Sequence, residues 1–214
     1  EVEHCIAARD FVKLEAFCDN LDSLEPRRRR RAMLEICRGD DDVAIPLLAR
    51  GLARGVVEDV GSEIWRVLLT KLRDHAEIID ASLDGPVGEL TPIYARAAGE
   101  LARRDTVPAL LRLLESERDE ALLETVIAAL GALGDVRASS PLLEFLGMDV
   151  AHPLRLAAAR ALTGVASPDG DEGLWRAVQT GDDVALAILD VWVARGDARS
   201  WLLVNRALES GTTR

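Results

Sequence analysis

The stretch "AALGALGDVRASSPLLEFL", Ala128 to Leu146, passes from small apolar residues through a Gly-Asp turn and returns through Ser-Pro into a second apolar run. The pattern recurs, and recurrence at a fixed period constrains a fold more than any single motif. With Pro141 as the marker, "DTVPALLRLL" places Pro108 one period earlier. "DVAIPLLARGL" supplies Pro46, and "DHAEIIDASL" sets Glu77 midway between these two prolines. Downstream, "GDEGLWRAV" puts Gly173 one period after Pro141, and "ARSWLLVNRAL" gives a shorter final copy around Trp201. The spacing is roughly 30 residues throughout, which is the length of a repeating supersecondary unit.

Each interval holds a second apolar-periodic stretch ending shortly before the marker: Pro26 to Arg38, Gly61 to Arg73, Pro92 to Arg104, Arg118 to Leu133, Pro153 to Val165 and Asp183 to Arg195. Leu122, Val126, Ala129, Leu130 and Leu133 recur at the three- and four-residue steps of one helix face, so two helices per repeat are expected. Aromatics at 4% argue against a sandwich or barrel, and 49% hydrophobic residues suffice for a core. The expected fold class is all-α.

Boundary chemistry agrees. Pro26, Pro92 and Pro153 sit where a first-turn proline loses no hydrogen bond, with Thr91 as a potential N-cap before Pro92. Asp105 as an N-cap would place Pro108 among the same unsatisfied donors. "DHAE", Asp74 to Glu77, has the spacing of a capping box. An Asp stands near every turn: Asp40 to Asp42, Asp74, Asp105, Asp135, Asp169 or Asp171, and Asp197. Caps and turn bonds are expected of them rather than metal ligation.

A pair of short amphipathic helices cannot bury its apolar stripe alone, whereas stacked pairs share one continuous core. Small residues then permit close approach: Ala128, Ala129, Gly131 and Gly134, matched by Ala157 to Ala159 and Ala161. "VIAALGALGDVRASSPLLEFL" and "LAAARALTGVASPDGDEGLWRAV" resemble HEAT-type repeats of the short bacterial, phycobilisome-lyase class. The resemblance implies a right-handed α-solenoid of about six stacked antiparallel helix pairs, the second helix of each pair lining the concave side. One domain over residues 1–214 is expected, with repeats near 10–44, 45–75, 76–106, 107–139, 140–171 and 172–214. Related proteins include bilin lyase subunits and alkylpurine DNA glycosylases; a HEAT-like family name specifies a fold rather than an activity.

In that register Leu110, Leu113, Leu143, Leu146, Trp175 and Val178 point into the core. Arg50, Arg54, Leu111, Arg112, Glu115, Glu144, Phe145, Met148, Arg176 and Gln179 face the groove. Arg mixed with apolar and Met side chains suits a protein or peptide ligand. The leading expectation is a non-catalytic scaffold or adaptor; the alternative is a regulatory or lyase-type subunit working with a partner enzyme. Catalytic, cofactor-binding and metal residues: none are expected.

The formal charge of −11 opposes nucleic acid and anionic lipid, and disfavours a glycosylase that bends a basic solenoid around DNA. "PRRRRRA" is the counter-signal; Arg27 to Arg31 fan around a helix and are expected to be solvated beside Glu25, Glu35 and Asp22. No run approaches a membrane span of about 20 apolar residues. Cys5, Cys18 and Cys37 form no Cys-x-x-Cys, so reduced thiols and a cytoplasmic location are expected. His4, His75 and His152 lie in different repeats without metal spacing, and "SPDGDEG", Ser167 to Gly173, lacks the rest of a calcium loop. Trp65, Trp175 and Trp192 fall on inward faces, and Trp201 begins the last helix.

Overall fold

The structure, a computed structural model, describes residues 25–55, 58–147, 151–165, 167–179 and 183–209. Every regular element among them is helical. The α-helices are α1 (Pro26–Cys37), α2 (Asp41–Ala53), α3 (Glu58–Asp74), α4 (Ala76–Asp84), α5 (Thr91–Glu100), α6 (Val107–Ser116), α7 (Glu120–Leu133), α8 (Ser139–Gly147), α9 (His152–Gly164), α10 (Pro168–Gln179), α11 (Asp183–Arg195) and α12 (Ala198–Glu209). The six intervals expected from apolar periodicity coincide with α1, α3, α5, α7, α9 and α11. The marker segments are the helices between them, with two 3₁₀ turns, Arg104–Thr106 and Val136–Ala138, leading into α6 and α8.

The Gly-Asp turn shows why the chain breaks where it does. Asp119 Oδ1 accepts from the Leu122 N–H at 2.8 Å and starts α7. Gly134, at φ 60° and ψ 26°, ends that helix in the left-handed region, where a Cβ would be strained, and its N–H donates to the Leu130 carbonyl. Asp135 Oδ1 then accepts from the Arg137 N–H at 2.9 Å to open the 3₁₀ turn.

Other boundaries differ from the local rules. Asp74 is the last residue of α3, and the N-cap of α4 is His75, whose side chain makes no cap bond. Glu77 faces His75 instead of closing a capping box. Thr91 is the first residue of α5 rather than its N-cap, and its Oγ1 accepts from the Gly88 N–H at 2.9 Å. Asp105 falls inside a 3₁₀ turn, held by Arg103 Nε at 3.0 Å, and α6 begins at Val107. Pro46 lies inside α2, where it removes a helical donor. Arg29 is buried, unlike its neighbours Arg28, Arg30 and Arg31, because a run longer than one turn must direct one member inward.

The described residues form two compact units divided within α5, one reaching Ala97 and one starting at Ala98. In the first, α1 packs on α2 and α3, α2 on α3, and α3 on α4. Met33, Ile36, Ile45, Leu48, Ile64, Leu68, Leu72 and Ile79 make its core. Arg96 stacks on Trp65 with its guanidinium carbon 4.1 Å from the ring centroid.

In the second unit α6 pairs with α7, α8 with α9 and α10 with α11. The pairs stack in two rows, α7 on α9 on α11 and α8 on α10 on α12, which is the layering of an α-solenoid. Small residues set the approach of the first row: a Cβ on Gly131 would lie 2.6 Å from the Ala161 Cα, and one on Gly99 would lie 2.9 Å from the Ala129 Cα. Both rows bury leucine and valine, and the first also isoleucine, each fully buried side chain contributing about 1.5–3 kcal/mol. Arginines tie successive turns together. Arg137 Nη2 donates to the Arg104 carbonyl at 3.5 Å, Arg199 Nη2 to the Val165 carbonyl at 3.0 Å, and Arg195 Nη1 to the Thr163 carbonyl.

Candidate functional site

Two cavities open in the second unit. The first, about 580 Å³, lies among α6, α7, α8 and the start of α9. Buried Leu114, Leu123 and Leu154 and half-buried Phe145 and Pro141 form its apolar lining. Glu115, Glu120 and Glu144 stand exposed at its edge, with Glu117 and Arg118 from the α6–α7 connection. Helical periodicity explains the division on α6: Leu114 points to the core and Glu115, one residue on, turns to solvent.

The second cavity, about 520 Å³, is lined by Leu143, Leu146, Arg155, Asp169, Glu172, Gly173, Arg176 and Ala177. Its charges are largely matched. Glu172 lies 3.8 Å from Arg176 and 3.4 Å from Arg206, whose guanidinium carbon also sits 4.4 Å from the Trp175 ring centroid. Asp171, on the same helix, pairs with Arg199, whose Nε lies 3.0 Å from Asp171 Oδ2. The acidic "SPDGDEG" stretch is therefore engaged with arginines.

Of the groove residues expected from sequence, Glu115, Glu144 and Phe145 meet at the first cavity and Arg176 lines the second. Leu111 is half-buried, and Arg112 and Gln179 are exposed without lining either cavity. Arg50, half-buried, and Arg54, exposed, belong to α2 and its C-cap in the first unit. Met148 lies outside the described residues. Of the residues assigned to the core, Leu110, Leu113, Leu146, Trp175 and Val178 are buried, whereas Leu143 is half-buried against the second cavity. Trp65 and Trp192 are buried and Trp201 is exposed.

A polar cluster in the first unit was not legible locally. Asp41, at the start of α2, accepts from Lys71 Nζ of α3, and its Oδ2 lies 3.1 Å from His75 Nε2. His75 Nδ1 lies 3.2 Å from Glu77 Oε1. Carboxylates only accept, so both ring nitrogens carry protons in this arrangement. The Glu77 and Asp41 bonds raise the His75 pKa above its ordinary value, and the Lys71 bond foremost holds Asp41 below its own. Cys37, half-buried, has its thiol pKa pushed up by burial, with Lys71 opposing. Cys5, Cys18 and His4 lie outside the described residues. His152 Nε2 sits 2.9 Å from Asp183 Oδ2. Among the described residues no three His, Cys, Asp or Glu side chains are grouped to hold a metal ion. No helix of the described residues is long and apolar enough to cross a membrane.

Residues 90–163, which contain the first cavity's walls, match the family model for HEAT repeats. Among curated proteins, a 59-residue stretch is 48% identical to the bilin biosynthesis protein PecE of Nostoc sp., covering 28% of this chain and 23% of that protein. The same protein of Mastigocladus laminosus is 44% identical over 59 residues, covering 28% and 22%. The match thus spans under a quarter of the length of these relatives.

Proposed function

Because the chain is a HEAT-like repeat protein, we propose that it is a non-catalytic scaffold that holds a protein or peptide partner. The contact surface we assign lies within the second unit: Leu111, Arg112, Glu115, Glu144, Phe145, Arg176 and Gln179, centred on Phe145. The observation that carries this reading is the first cavity, where half-buried Phe145 and three buried leucines meet exposed carboxylates. An apolar centre within a polar rim is the anatomy of a protein-recognition patch. Stacked repeats supply the rigidity, since α6 packs on α7, α7 on α9, and α8 on both α9 and α10. Nucleic acid remains disfavoured by the −11 charge, and the cytoplasm is the compartment that suits the free Cys37 thiol and a sequence without Cys-x-x-Cys.

Affinity capture on the immobilised chain, followed by titration of the recovered partner after purification, tests this. Phe145→Asp, checked for retained helicity, should weaken the purified partner's binding at least tenfold. Retention of every captured protein at unchanged affinity by Phe145→Asp would refute the reading.

The 59-residue likeness to bilin biosynthesis proteins favours a second reading, a regulatory or lyase-type subunit acting with a partner enzyme. Adding a free bilin or haem and recording absorbance separates the two. A scaffold gives no new band, while a saturable one-to-one band shift would favour the tetrapyrrole reading.

A further inference from the structure

We propose that the first cavity takes a basic segment of a partner protein, one large apolar side chain entering between Phe145, Leu123 and Leu154 while Lys or Arg neighbours meet Glu115, Glu120 and Glu144. This rests on the scaffold reading above and adds the chemistry of the occupant.

Charge decides the occupant. Four carboxylates, those of Glu115, Glu117, Glu120 and Glu144, line the cavity against one guanidinium, that of Arg118. Arg118 offsets one of the four charges and leaves the edge net negative; its Nη1 donates to the main-chain carbonyls of Glu115 at 3.1 Å and Glu117 at 2.6 Å rather than to a carboxylate. Among the described residues no ion pair joins Glu115, Glu120 or Glu144 to any cation. The second cavity differs on this point, since Glu172 there has both Arg176 and Arg206 beside it. A cationic ligand at the first cavity thus gains attraction without breaking an existing pair, and the net charge of −11 steers basic partners to the chain from further away.

The cavity floor excludes simpler cations. A bare ion would leave the half-buried apolar surfaces of Phe145 and Pro141 facing water, and a purely apolar ligand would bury the carboxylate edge without compensation. A segment with both elements satisfies both, and about 580 Å³ lies within the range of ligand-binding pockets.

A phage-displayed random dodecapeptide library panned on the intact 214-residue chain tests this. Enriched sequences should place Lys or Arg beside Leu, Phe or Trp. The most enriched one, made as a fluorescein-labelled peptide, should bind at least tenfold more weakly to Glu115→Lys/Glu144→Lys. If that variant loses helicity, Glu115→Gln/Glu144→Gln takes its place, with at least threefold weakening expected. Enrichment without basic residues, no enrichment, or affinity indifferent to both variants would overturn the proposal. Peptides indifferent to the carboxylates but lost with Phe145→Ala would remove the basic partner and leave the scaffold reading standing. That reading falls separately, by the capture experiment.

Discussion

Ser139 and Ser167 share a buried hydrogen bond, their hydroxyl oxygens 2.6 Å apart, joining the start of α8 to the residue before α10. Ser167 Oγ also accepts from the Gly170 N–H at 3.0 Å and so caps α10. Ser167→Ala removes a cap and strands the Ser139 hydroxyl, whereas Ser139→Ala removes one bond. We expect losses of about 2 and 1 kcal/mol. The double variant should cost less than the sum, because neither hydroxyl is then left alone. Urea denaturation of the four proteins checks the order; an additive cycle would contradict it.

Which parts of this were readable beforehand follows from the range of each interaction. Asp135 and Asp197 accept from N–H groups of Arg137 and Ser200, within three residues, so a pattern rule finds them. Asp41 binds Lys71 and His75, 30 and 34 residues away, and no local rule sees that pairing. Small residues at Gly131 and Ala161 announced close packing because the period itself brings them together. Phe145 lies half-buried at the first cavity, but that cavity depends on the space that α7 and α9 leave beside it, which spacing along one helix does not specify.

Gly131 tests that close approach. Any Cβ at this position meets the Ala161 backbone, which has no rotamer to move, so Gly131→Ala should push α7 from α9 at about 1–3 kcal/mol. Gly88→Ala meets nothing within 4 Å and should stay within about 0.5 kcal/mol of the parent. Thermal melts of both variants decide it, and equal behaviour would contradict the packing.

Leu130 and Arg112 test the facing of α6 and α7. Leu130 is fully buried in α7, so Leu130→Asp buries a carboxylate without a partner and should cost more than about 3 kcal/mol. Arg112 is exposed on α6, and Arg112→Ala should shift stability by no more than about 0.5 kcal/mol. Circular dichroism melts that showed equal damage would overturn the assignment.

His75 and Asp41 give the first unit a definite pH response. The folded His75 pKa is raised, so its contribution is complete below the unfolded value near 6.5 and is lost as pH rises through the folded value. Asp41 is depressed, so its contribution is present above 3.8 and is lost as pH falls through its lower folded value. Stability should therefore hold between these limits and decline as pH rises past about 6.5. His75→Gln keeps a polar side chain without a titrating charge and should flatten the decline between about pH 6 and 8. Denaturation midpoints measured across that interval check this, and an identical slope in parent and variant would show that the His75 bridge carries none of it.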